Sequence, residues 1–229
     1  MFENKRILAF IPARIGSKGV PQKNLRSIAG LPLFMWSVNY ARSSKYVDDI
    51  LVSSDSPTIL NMAHENACIQ NGLRPAELAS DTARNIDAVL WELDQLPQKY
   101  DAVVHLQPTY PIRPKGDLDL MIERYFEKQT SLITVIKTEA RPEFLRRINE
   151  KGNLEKVMNA TSDIRRQKFV QCYQIVGSVY INNTETLSTQ TVLNENEIPY
   201  VIDDKYALDI DTPNDWDQLE QRSSELLKK

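Results

Sequence analysis

Ile7-Leu8-Ala9-Phe10-Ile11 is an unbroken apolar run of strand length, and it stops at a stretch where almost every residue is polar or small. A run of this kind predicts a strand covered on both faces, as in the middle of a parallel sheet. Downstream, similar runs alternate with segments of helical period. Leu33, Phe34, Trp36, Val38 and Ala41 share one stripe of a helix predicted over 31–44. Asp49 to Ser53 reads as the second strand. Ser54-Asp55-Ser56-Pro57 opens a helix reaching Asn66, with Pro57 at its first position. A short strand is expected around Cys68–Gln70, a helix over 85–96, a strand over 101–106, a helix over 115–128 and a strand over 131–137. Strand and helix in this rhythm predict βαβ units, right-handed crossovers and a parallel sheet, hence an α/β fold.

From Thr138 to Tyr173 the rhythm breaks. This stretch is charged and irregular, with short hairpin strands expected near 144–148 and 154–157. Inside an otherwise regular α/β chain it predicts an inserted lobe or arm over 138–173. Arg146, Arg147, Arg165, Arg166 and Lys168 make it locally basic, which suits a solvated face or a receptor for an acidic substrate. Strands resume over 177–182 and 198–202, and 206–211 leads into a C-terminal helix from Pro213. The whole of 1–229 is expected to form a single domain carrying that arm.

Composition narrows the class. The chain has 229 residues, 41% of them hydrophobic and 26% charged, enough for a sizeable core. A net charge of −3 argues against nucleic acid as a partner, so any anion site must be local. Cys68 and Cys172 stand apart in the sequence, outside any Cys-x-x-Cys or His/Cys cluster, and read as two buried thiols in a reducing compartment. Met1 to Arg6 run straight into the first strand, and no apolar run approaches membrane-spanning length. These features predict a soluble cytoplasmic protein without a membrane partner.

Candidate chemistry begins in the polar stretch after the first strand. Arg14, Lys18 and Lys23 lie there with Gly16, Gly19 and Ser17. Backbone N–H groups in a glycine-containing loop form a concavity that favours anions, and three cations reinforce it. The stretch reads as a polyphosphate cradle, against the alternative of a solvated loop. It is neither a Walker A loop nor a dinucleotide fingerprint, since the glycines are too few and wrongly spaced. Arg74 to Ala83 offers the planar donor fork of Arg74 to a pyrimidine carbonyl or a phosphate, or else a surface loop with Asp81 or Thr82 as a helix cap. Leu106 to Pro114 follows a core strand, where ligands bind in open parallel sheets, and its three prolines would hold Gln107, Thr109 and Arg113 in place. In a strand Asp209 and Asp211 would present their carboxylates on one side, a hard-cation site. Thr212 to Asp215 suit a helix start instead. His105 is expected to be a satisfied core histidine and His64 a solvated one.

A phosphate cradle and a carboxylate pair on a parallel sheet point to nucleotidyl transfer, in which the protein aligns an attacking oxygen with the α-phosphorus. Here the residues resemble a known family. Ile11 to Asn24, Ile-Pro-Ala-Arg-Ile-Gly-Ser-Lys-Gly-Val-Pro-Gln-Lys-Asn, is similar to the signature loop of the acylneuraminate cytidylyltransferases, or CMP-sialic acid synthetases. Arg-Pro-Ala-Glu-Leu-Ala-Ser-Asp-Thr-Ala (74–83), Leu-Gln-Pro-Thr-Tyr-Pro-Ile-Arg (106–113) and Asp-Ile-Asp (209–211) follow in the family's order.

The resemblance implies a Rossmann-like nucleotidyltransferase fold with a mostly parallel central sheet and an inserted dimerisation arm. It implies that CTP and a nine-carbon acidic sugar combine, with Mg²⁺, to a CMP-sugar and pyrophosphate for surface glycan biosynthesis. Arg14, Ser17, Lys18, Lys23 and Asn24 would hold the triphosphate and ribose, with Lys23 near the reacting phosphate. Arg74 and the segment from Ala83 to Asn85 would recognise cytosine. Gln107, Thr109 and Tyr110 would meet the sugar, and Asp209 and Asp211 would bind Mg²⁺. Arg14, Lys23 and Asp211 would carry the catalysis. In the family's homodimers an arm reaches the neighbouring site, so 138–173 would be that arm and Arg166 would meet the sugar carboxylate. Two departures fall on the sugar side: Tyr110 where the family usually has Ser, and Val176 before Gly177 where it usually has Asn. They widen the sugar to legionaminic or pseudaminic acid and, further off, to Kdo or an aminohexose phosphate. A non-catalytic nucleotide-binding homologue is the reading from another class.

Overall fold

The computed structural model describes residues 2–159 and 170–226. Along the chain run β1 (Ile7–Pro12), β2 (Ser27–Ile28), β3 (Leu31–Pro32), α1 (Leu33–Arg42), β4 (Asp49–Ser53), α2 (Pro57–Glu65), α3 (Asn85–Gln95), β5 (Ala102–Leu106), α4 (Asp117–Lys128), β6 (Leu132–Thr138), β7 (Arg146–Ile148), β8 (Leu154–Lys156), β9 (Cys172–Asn183), β10 (Ile198–Ile202) and α5 (Pro213–Leu226). The central sheet has the order β10-β6-β9-β5-β1-β4. β1 lies between β4 and β5 and is parallel to both, and β10 is parallel to β6. β9 alone runs antiparallel, between β5 and β6. The mostly parallel α/β sheet expected from the apolar runs is present.

The unbroken apolar run of β1 is explained by its two covered faces. Ile7, Ala9 and Ile11 pack with Phe34, Met35, Val38 and Ala41 of α1 and with Leu118, Met121 and Ile122 of α4. The alternate residues Leu8 and Phe10 pack on the other face with Ile86 and Val89 of α3. Each such side chain taken out of water contributes ~1.5–3 kcal/mol. This places α3 across the sheet from α1 and α4, with its N-terminus beside the loop that leaves β1. Pro57 opens α2 as expected, and the Ser56 hydroxyl accepts from the Ile59 N–H.

Three expectations change. The short strand around Cys68–Gln70 reduces to a single bridge between Leu51 and Ile69. β9 begins at Cys172 instead of Gly177, because its exposed first residues still pair with the end of β6. The two strands leave the sheet as a ribbon carrying the excursion, in which β7 and β8 form the expected hairpin. A register shift between Ile133 and Val135 of β6 bends this ribbon, and the Thr134 hydroxyl there donates to the Val176 carbonyl. Third, residues 207–211 form no strand. The segment is held instead by the Ile210 N–H donating to the Thr109 carbonyl at 2.9 Å, with the Ile210 side chain buried against Val20, Leu33, Ile112 and Trp216. Among the described residues no helix is long and apolar enough to cross a membrane.

Candidate active site

A cleft of about 410 Å³ opens at the carboxyl ends of β1, β4 and β5. The loop after β1 forms one wall and is stapled to the end of β4. The Ala13 N–H donates to the Ser53 carbonyl (2.9 Å), the Ser54 hydroxyl to the Ala13 carbonyl (2.6 Å) and the Ile15 N–H to Asp55 (2.8 Å). The Asn24 amide closes the loop on the Arg14 carbonyl at 2.8 Å. These bonds hold a polar loop in one shape without a packed core of its own.

The cleft brings together Arg14, Ser17, Lys18, Lys23 and Asn24 with Arg74, Asn85, Gln107, Thr109 and Asp211. Ala83 does not line it. Tyr110 and Asp209 line an adjoining hollow with Gln107, Gly177, Tyr180 and Asn194. Arg165 and Arg166 lie outside the described residues. Gly16 has open space where a side chain would be, as a ligand-facing glycine should. Gly19 is different: it packs on the backbone of Asp211.

Every cation of the cradle faces a carboxylate. Asp81 receives Arg14 Nη1 at 2.9 Å and Lys18 Nζ at 2.7 Å, and these two hold its carboxyl below the usual range. Lys23 Nζ lies 2.9 Å from Asp211 Oδ1 and donates to the Ile210 carbonyl at 2.5 Å. Asp81 is thus part of the site, where the sequence offered it as a helix cap. The helix start it would have capped falls at Arg84, which pairs with Asp87.

Asp211 reaches the cleft and Asp209 the adjoining hollow by a different route from the strand alternation expected. Asp211 is exposed beside Lys23, and Asp209 is half-buried against the Thr109–Tyr110 corner. Burial pushes the Asp209 carboxyl up, and Asp211 adds to the push, while the Thr109 and Tyr110 hydroxyls help keep it ionised. Its Oδ1 is buried without a hydrogen-bond partner among the described residues. An orphaned carboxylate oxygen with a second carboxylate beside it fits Mg²⁺, which takes one or two protein carboxylates and completes its shell with water and phosphate. Among the described residues no cluster of three or more metal-ligating side chains offers an alternative.

One expected site residue, Arg113, belongs to the core, and the expected core histidine, His105, differs in its bonding. Arg113 turns inward: its guanidinium donates to the carbonyls of Gln107 (2.6 Å) and Ser178 (3.1 Å) and to the Ser37 hydroxyl (3.1 Å). It props the 106–114 loop from behind. His105 is buried as expected but not satisfied, since neither ring nitrogen has a hydrogen-bond partner among the described residues. It lies between the rings of Phe10 and Tyr180, and burial drives its pKa down to about 3. Cys68 is buried, whereas Cys172 is only partly so, since it starts the exposed ribbon.

Arg74 is buried at the back of the cleft. It donates from Nε to the Ser53 hydroxyl (2.8 Å) and from Nη2 to the Ser53 carbonyl (2.5 Å), leaving Nη1 without a hydrogen bond among the described residues. Burial lowers its pKa.

Three cations, a buried arginine and two aspartates around one cleft and its adjoining hollow agree with the sequence comparison, in which residues 8–220 match the family described as Cytidylyltransferase. The chain belongs to the cytidylyltransferase family. It is a nucleotidyltransferase. It is 32% identical to the CMP-N,N'-diacetyllegionaminic acid synthase of Legionella pneumophila over 92% of this chain and 93% of that one. It is 28% identical to the N-acylneuraminate cytidylyltransferase of Streptococcus agalactiae over 91% of its own length, spanning about half (51%) of that relative. Among solved structures, a CMP:2-keto-3-deoxy-manno-octonic acid synthetase complexed with CTP superposes with a TM-score of 0.72 over 96% of this chain and 99% of that one. At 15% identity that likeness establishes this cytidylyltransferase's fold, which is the Rossmann-like one expected.

Proposed function

We propose that this cytidylyltransferase transfers the CMP group of CTP to a nonulosonic acid, giving the CMP-sugar and pyrophosphate for a surface glycan, in the cytoplasm. The observation that carries the reading is the facing arrangement of Lys23 and Asp211 in one cleft, with Arg14 and Lys18 on the same wall. Cations for a triphosphate and carboxylates for its counterion therefore meet at the place where a reacting phosphate would lie.

In this reading Arg14, Ser17, Lys18, Lys23 and Asn24 hold the triphosphate and ribose, and Arg74 with the 83–85 segment reads cytosine. Gln107, Thr109 and Tyr110 face the sugar, whose anomeric oxygen forms a bond to the α-phosphorus as the bond to pyrophosphate breaks. Asp209 and Asp211 would hold Mg²⁺, which supplies neutralising charge to the phosphate oxygens when bound. Lys23 and Arg14 would share that task from the opposite wall. The excursion over 138–173 is the dimerisation arm of a single domain. Phe144, Leu145, Ile148, Leu154, Val157 and Met158 are exposed along it, an apolar surface suited to a second copy. Arg166 would serve the partner's sugar.

The diacetylated legionaminic acid named for the 32%-identical relative is the first sugar to test. The protein is incubated with CTP, Mg²⁺ and a panel of sialic, legionaminic and pseudaminic acids, Kdo and an aminohexose phosphate, with pyrophosphate release and product mass as readouts. One nonulosonic acid converted to its CMP form is the expected result. CTP binding without product from any sugar would favour the non-catalytic homologue and overturn the proposal.

A further inference from the structure

Beside the cleft lies a second hollow, of about 230 Å³, that the chemistry above does not use. It shares Asn85 and Gln107 with the cleft, and Gln107, Tyr180 and Asn194 with the hollow beside Asp209. Its outer wall is Thr191 to Asn194, in the connection from β9 to β10. Leu187 and Leu193 seat this connection on Ile86 and Val89 of α3, but most residues between them are exposed. That stretch closes on itself. The Thr191 N–H donates to the Ser188 carbonyl (3.0 Å), and the Ser188 N–H to the Thr191 hydroxyl (3.0 Å). Among the described residues, one hydrogen bond ties the 188–191 turn to the rest of the protein. It runs from Arg84 Nη1 to the Thr189 carbonyl at 2.9 Å.

We infer that Arg84 is a positioning residue for the sugar, a clasp on the 188–191 turn that sets the wall from Thr191 to Asn194, a role that rests on the sugar lying against Gln107 as proposed above. Asp87 grips one edge of the guanidinium, Nε at 3.0 Å and Nη2 at 2.5 Å. A carboxylate on that edge fixes the plane of the fork, and the remaining arm, Nη1, is then aimed at Thr189. Most of the rotamer freedom of a long side chain is thus already spent before the turn is held. Asp87 stands in the first turn of α3, so the clasp is fixed to the helix whose first residue, Asn85, lines the cleft. Arg84 itself lines the second hollow and not the cleft, although it lies within the 83–85 segment.

An arginine beside an acidic sugar could instead bind its carboxylate directly. Asp87 already balances the charge of Arg84, and the bond to Thr189 turns Nη1 to the protein. The two roles predict opposite effects of removing the Asp87 charge. A clasp loosens, whereas a carboxylate receptor gains a free cation.

The test is Arg84→Ala, at a side chain 54% exposed, assayed with CTP and the nonulosonic acid converted in the panel above, diacetylated legionaminic acid first. We expect KM for the sugar to rise about fivefold, with KM for CTP and kcat changing less than about twofold. Asp87→Asn raises the sugar KM in the same direction, and the double variant adds little to Arg84→Ala. Arg84→Lys, which keeps the charge and loses the fork, recovers little. An unchanged sugar KM in Arg84→Ala overturns the inference, as does an equal rise in both KM values. A lower sugar KM in Asp87→Asn, or full recovery in Arg84→Lys, overturns it in favour of a charge that meets the sugar. If Arg84→Ala fails to fold, Asp87→Asn decides by the same readings. Gln107→Ala separates the two levels. If it leaves the sugar KM intact, the placing of the sugar fails. If it raises that KM while Arg84→Ala does not, only the clasp fails.

Discussion

Gly19 lies directly on the carbonyl oxygen of Asp211: a Cβ at position 19 would sit 1.8 Å from it. The cradle loop and the aspartate turn, 192 residues apart in sequence, thus touch through bare backbone. Gly19→Ala forces them apart by more than a side-chain adjustment can absorb. The expected outcome is a loss of about 2–3 kcal/mol of stability by denaturant unfolding, from overpacking. Turnover should fall with it, because Lys23 and Asp211 would no longer meet. Gly16→Ala, in open space, should leave stability unchanged in the same measurement.

Asp81 pairs with both Arg14 and Lys18. In the proposed reading a triphosphate would compete with it for both cations. Asp81→Asn removes that competitor, and KM for CTP should fall about threefold at low salt, the gain shrinking as salt rises. A KM that rises instead would mean the aspartate organises the cradle for its ligand.

Asp211→Ala should reduce pyrophosphate release roughly 100-fold or more while calorimetry still detects weak CTP binding. Removal of divalent cations with EDTA should silence the wild-type protein and change the variant little further. Unchanged turnover in Asp211→Ala would remove the carboxylate pair from the metal site.

Arg113 is buried and, among the described residues, pairs with no carboxylate; two carbonyls and a hydroxyl hold it. Arg113→Met takes the guanidinium from the Ser178 carbonyl and leaves the Gln107 carbonyl only the Tyr110 N–H, and unfolding should register a loss of about 2–3 kcal/mol. Gln107 would also lose its brace, so a weaker sugar KM should accompany the lost stability.

His105 gives the fold an acid limit. Its pKa is near 3 in the folded chain and near 6.5 when exposed, so between those values the unfolded state binds the extra proton. Stability therefore falls as pH drops below about 6.5, by ~1.4 kcal/mol per unit at the steepest. His105→Phe should flatten the Tm profile between pH 7 and 5. An unaltered profile would assign the acid sensitivity to other groups.

The elements built on continuous apolar runs were legible. The bounds of β4 and β10 coincide with the expected strands, and β1 follows its run. The gathering of Arg14, Lys18 and Lys23 at one cleft was legible because cations and glycines after a buried strand have few structural uses. Its counter-charge was not, since Asp81 reads as a cap locally and meets Arg14 only after 67 residues of chain fold back. Arg113 shows the reverse error. A charged residue in a stiff loop suggested a ligand, but the carbonyls of Gln107 and of Ser178 in β9 claimed it first. The early half of β9 escaped because Tyr173, Gln174 and Ile175 are exposed and mark no burial pattern. Its antiparallel direction is set by the route of the excursion, which no local pattern encodes.

β9 is one strand of 12 residues with two duties. Its outer end carries the excursion, and its inner half supplies Gly177 and Tyr180 to the hollow beside Asp209. Hydrogen bonding to β6 runs along both ends, with the bend at Thr134 as the single irregularity between them. In the dimer proposed above, a partner's grip on the excursion would be felt along the same strand at the wall of that hollow, so that assembly and turnover would be coupled through β9.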